Sequence, residues 1–92
     1  MLADWLDRHT RHAPSVLRSR VLDYTAGAED DDLAGSLAEA GRRALDQVVA
    51  HPGDRSVALD LLAADALITL ALLAEAQRHP ERLGEFAAGL IR

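Results

Sequence analysis

Asp65 is the full charge at the centre of the run LLAADALITLALLAEA, residues 61–76, which is otherwise almost wholly apolar. On a helical wheel it falls beside Leu61 and Leu72, and Thr69 follows it by four residues on the same face. A carboxylate carried into an apolar core must protonate or find a partner, because its desolvation is expensive. The sequence offers Arg18, Arg20, Arg42, Arg43 and the Tyr24 hydroxyl as partners. The leading expectation is a buried aspartate held in a structural ion pair or hydrogen bond. The second is a ligand-binding constellation of Asp65, Thr69, Tyr24 and Arg42, a polar point in an apolar pocket between helices. Such a pocket would take a small apolar ligand bearing a cationic or hydroxyl group. A general base is a third use for a buried carboxylate. That role needs a second catalytic group, and the sequence singles none out.

The remaining reactive side chains have simpler readings. His9 and His12 stand at a spacing that can place two metal ligands on one helical face. Pro14 ends the helix beside them, and only Asp7 offers a third ligand, so solvated side chains are expected. His51 and His79 each precede a proline at a helix boundary, where capping accounts for them. The acidic run at 29–32 lacks the alternating oxygen ligands, glycine and distant glutamate of a calcium loop. The chain has no cysteine, hence no disulfide and no thiolate metal site. Glycine-rich phosphate loops and serine nucleophile motifs are absent. No metal or cofactor is expected, and a non-enzymatic role is favoured over catalysis.

The stretch LLAADALITLALLAE resembles the core helix of the isoprenyl diphosphate synthases, which carries a similar Gly-Asp-x-Leu-Leu run. Ala64 stands where that family has glycine, both DDxxD motifs are missing, and EDDD at 29–32 has a different spacing. The likeness covers about one sixth of the chain and is one of helix-packing pattern. It carries no activity and no site residue across.

Five helical segments would position these groups. Turn and helix-start signals at 12–14, 26–32, 51–54 and 79–80 divide the chain. Leu2, Trp5 and Leu6 give the first segment one apolar stripe. Pro14 fits the first turn of the second, where Leu17, Val21 and Tyr24 recur at helical spacing and Gly27 can end it in a left-handed conformation. Asp30, Asp31 and Asp32 precede the third, where carboxylates favour the positive end of a helix. Its stripe reads Leu33, Leu37, Gly41, Leu45 and Val48, with Gly41 permitting a close helix approach. Pro52 and Gly53 stop it, and Asp54 can cap the next. The last segment starts at Pro80, with Leu83, Phe86, Ala87, Leu90 and Ile91 on one face.

The fourth segment, about 54–78, is apolar nearly all round. Val57, Leu61, Ile68 and Leu72 form the expected centre of its inner face, extended by Leu62 and Leu73, with Leu59, Leu67 and Leu70 opposite. Such a helix is central in its fold or buried in an oligomer. The first and last segments are short, so a second copy of the chain is expected to cover part of its outer side.

A chain of 92 residues fits one domain, 1–92, with one modest core. Apolar residues make up 49% and charged residues 27%, the profile of a folded soluble protein. The formal net charge of −5 disfavours nucleic acid as a partner, despite the mild basic clusters between Arg8 and Arg20. Asp4, Asp7 and Arg8 interrupt any signal-like run at the N-terminus. Residues 56–74 approach the length of a membrane span, but Asp60 and Asp65 would each cost about 2.5–3.5 kcal/mol at mid-bilayer. The expectation is therefore an all-α bundle of about five helices, cytoplasmic and outside the membrane. Its expected function is that of a non-enzymatic interaction module, a homodimer.

Overall fold

Leucine and alanine dominate the chain, and few β-branched residues compete with their helical preference. The computed structural model describes residues 2–28 and 31–91 and contains only helices and turns among them. Helix α1 spans Leu2–His9, α2 Ser15–Thr25, α3 Leu33–Ala50, α4 Val57–Arg78 and α5 Leu83–Leu90, with a single 3-10 turn at Pro80–Arg82 leading into α5. The all-α bundle with a central fourth helix is what the sequence predicts.

The helix ends follow their local chemistry. Gly27 and Gly53 hold φ values of +80° and +84°, the left-handed conformation that ends α2 and redirects the chain after α3. Asp32 caps α3, its carboxylate accepting from the Gly35 backbone N–H at 3.0 Å. Asp54 acts one turn before α4, accepting from both the N–H and the hydroxyl of Ser56 at 2.9 Å. His51 and His79 are the C-caps of α3 and α4. Asp30, expected near the start of α3, lies outside the described residues.

The core centres on the α3–α4 pair, which makes the most extensive packing in the molecule. Its α3 side is Ala34, Leu37, Ala38, Ala40, Gly41 and Ala44. The buried residues of α4 are Asp60, Ala63, Ala64, Leu67, Ala71, Ala74 and Glu75. Alanine and glycine let the two backbones approach closely. A Cβ added at Gly41 would stand 2.9 Å from Ile68 Cγ1 and 3.5 Å from Leu67 Cβ, so the crossing leaves no room for a side chain. Leu2, Trp5 and Leu6 of α1 and Val21 of α2 close the core, as their spacing predicts.

Three expected stripes are corrected. In α3 the buried face runs along the alanines beside Leu37 and Gly41, and Leu45 turns partly outward. In α4 the correction is larger. Leu61, Leu62 and Leu73, assigned to the inner face, are 51%, 54% and 38% exposed, and the alanine face is buried in their place. A close crossing rewards small residues on both sides, and the bulkier leucines are left on the outside. Ile91, expected on the inner face of the last helix, is 89% exposed.

Candidate functional site

The buried carboxylate exists, and it is Asp60, one turn before the position the sequence pattern favours. Asp60 is 8% exposed on the face of α4 that meets α2. Its Oδ1 accepts from the Tyr24 hydroxyl at 2.8 Å and from Arg20 Nη1 at 2.5 Å. Both partners come from α2, where four residues of separation place them on one face. Burial alone would raise the Asp60 carboxyl. The Tyr24 and Arg20 hydrogen bonds and the Arg20 charge outweigh it and hold Asp60 below the usual carboxylate range. Tyr24 is pushed up to about 12, first by burial and then by its hydrogen bond to Asp60. The Arg20 guanidinium is raised by the same pairing.

Asp65 is exposed, and so is Thr69. Five residues separate Asp60 from Asp65, about 140° on a helix, so burying one turns the other to solvent. The expectation of a buried Asp65 is thereby corrected, and the reason is the inverted face of α4. The four residues expected to share a ligand pocket do not converge. Tyr24 is half-buried and committed to Asp60, Asp65 and Thr69 lie on the opposite side of α4, and Arg42 is exposed on α3 beside a depression of about 530 Å³ next to Leu90 and Ile91.

Three arginines join helices. Arg18 pairs with Asp7 of α1, Arg20 with Asp60, and Arg43 Nη2 donates to the Tyr24 carbonyl at 2.8 Å. His9 stacks on Trp5 with ring centroids 4.0 Å apart and bonds the Trp5 carbonyl through Nδ1 at 2.8 Å. Trp5 Nε1 in turn donates to Gln77 Oε1 at 3.2 Å and ties α1 to the end of α4. Among the described residues no group of three or more His, Asp or Glu side chains is arranged to hold a metal ion.

What remains unpartnered within the chain is the outer face of α4. Ala58, Leu61, Leu62, Asp65, Thr69 and Leu73 are all exposed, and half-buried Leu72 and Ala76 continue the same stripe. The helix is long and apolar enough by composition to cross a membrane, yet only 39% of its most apolar window is buried inside the molecule. Exposed Val16 and Ile91 are scattered elsewhere, as single apolar residues commonly are. Among the described residues α3 exposes the pair Leu45 and Val49 one turn apart, and α4 exposes the longer row of Leu61, Leu62 and Leu73. No family model, curated protein or solved structure matches the chain.

Proposed function

We propose that the protein is a non-enzymatic helical interaction module that works as a homodimer joined through the outer face of α4. The observation that carries this reading is the exposed row of Leu61, Leu62 and Leu73 on the most apolar helix of the chain. Aligned apolar surface of this kind marks interaction sites. A second copy is favoured over an unrelated partner by the residue order of the face. Read about Leu67, the row Ala58, Leu62, Asp65, Thr69, Leu72 and Ala76 pairs alanine with alanine, leucine with leucine and a hydrogen-bond acceptor with a donor. Self-complementarity of that kind is what a two-fold interface requires. The buried Asp60 cluster then serves the fold by fixing α2 on α4, and it leaves the opposite face free to bind.

Sedimentation equilibrium at micromolar concentration tests the reading. The expected mass is that of two chains. Leu62→Glu is expected to give one chain with its helical circular dichroism intact, because Leu62 touches solvent rather than the core. A wild-type chain that stays monomeric at high concentration overturns the proposal.

A further inference from the structure

The outer stripe of α4 has a spacing that fixes more than the existence of an interface. Ala58, Leu62, Asp65, Thr69, Leu72 and Ala76 follow one another at intervals of four, three, four, three and four residues. That is the 3.5-residue repeat of a two-helix seam. Leu61 and Leu73 flank the seam on its two sides. In an antiparallel pair centred on Leu67, each seam position meets the partner's position equally far on the other side of Leu67. Ala58 then meets the partner's Ala76, Leu62 the partner's Leu72, and Asp65 the partner's Thr69.

Resting on the homodimer reading above, we propose that α4 pairs with a second α4 in antiparallel register, and that Asp65 of each protomer accepts a hydrogen bond from Thr69 of the other. Both side chains are exposed in the single chain and lie about 3 Å along the axis on either side of the two-fold. Two such bonds form a polar layer at the centre of an otherwise apolar contact. The parallel alternative sets Asp65 against Asp65 and Thr69 against Thr69. It brings two carboxylates together in a desolvated seam and leaves the hydroxyls without a charged acceptor. A polar residue at one seam position is a known means of specifying register and orientation at some expense of stability. Asp65 thus has a use on the surface of α4 that a fifth leucine could not serve. It rejects the wrong orientation, and Thr69 satisfies it in the right one.

Crosslinking tests the register directly, since the protein has no cysteine of its own. Leu62→Cys and Leu72→Cys chains of different tag length are mixed and oxidised. The antiparallel pair predicts a mixed 62–72 disulfide and little self-crosslinking of either chain, because like positions are then separated by about 15 Å along the axis. Efficient 62–62 crosslinking overturns the antiparallel register. A two-chain mass in sedimentation with no mixed disulfide overturns the register while the homodimer stands. A one-chain mass for the wild type overturns both. Thr69→Val supplies a readout of opposite sign for the two kinds of interface. Valine is expected to weaken the dimer about tenfold, because it strands Asp65 without its donor. Tighter association on Thr69→Val shows a purely apolar seam and overturns the Asp65–Thr69 layer.

Discussion

At the residue scale the molecule turns on which carboxylate is inside. The sequence points to Asp65 as the buried carboxylate, with Arg20 and Tyr24 among its candidate partners, and the structure instead gives those two partners to Asp60 and leaves Asp65 exposed. The choice between Asp60 and Asp65 was not legible, because leucines flank both and a wheel centred on leucine points to Asp65. Asp60→Asn leaves Arg20 facing a neutral amide and is expected to cost about 1–3 kcal/mol in urea denaturation. Asp65→Asn, at concentrations low enough to hold the chain as monomer, is expected to stay within about 0.5 kcal/mol of the parent. Equal effects would contradict the burial of Asp60 alone. The same cluster sets two pH limits. Asp60 is depressed in the folded state, so its contribution is present above the unfolded carboxylate range, near pH 3.9, and is lost as pH falls through its lower folded value. Tyr24 runs the other way. Its pKa rises from 10.0 to about 12 on folding, so its contribution is complete below pH 10 and is lost as pH climbs toward 12. That loss is at most about 2–3 kcal/mol. Tyr24→Phe is expected to flatten the alkaline limb in urea titrations and to leave an acid limb maintained by Arg20.

At the element scale, helix number and boundaries were readable because they depend on local chemistry. Pro14, Gly27, Asp32, Gly53 and Pro80 each act within a turn or two of their own position. Helix orientation is different. It depends on which face meets a neighbour, and an apolar-all-round helix such as α4 gives periodicity little to report. The discriminating signal was residue size. Gly41 with Ala34, Ala38, Ala40 and Ala44 on α3 matches Ala63, Ala64, Ala71 and Ala74 on α4, and small residues on both helices permit the closest crossing. Gly41 is the position where this can be tested. In an open helix, replacing glycine gains about 0.5–1 kcal/mol. Here Ile68 stands 2.9 Å from the site of a Cβ, so a large side chain must push α3 and α4 apart. Gly41→Leu is expected to destabilise by about 1–3 kcal/mol despite better helix propensity. A stabilised Gly41→Leu variant would refute the close crossing.

At the scale of the whole molecule, the distribution of apolar volume links stability to assembly. The α3–α4 seam is built mainly of alanine, and the largest fully buried side chains of the described molecule are only Leu6, Leu37, Leu67 and Val21. Alanine burial removes little surface per residue, and a chain of this length has a modest core to begin with. Leu61, Leu62 and Leu73 meanwhile spend much of their surface on water. A second α4 laid on that face would bury leucine at about 25 cal/mol per Å² without disturbing the core. The folded dimer and the unfolded monomer then differ in the number of particles, so mass action makes the melting temperature depend on concentration. The expected outcome is a midpoint that rises steadily across a hundredfold range of protein concentration. Leu62→Glu is expected to melt at a lower temperature that does not change with concentration, and the wild-type curve should approach that value on dilution. A wild-type midpoint independent of concentration would mean that the alanine-lined core alone sustains the fold, and the exposed leucines of α4 would then have no part in holding the molecule together.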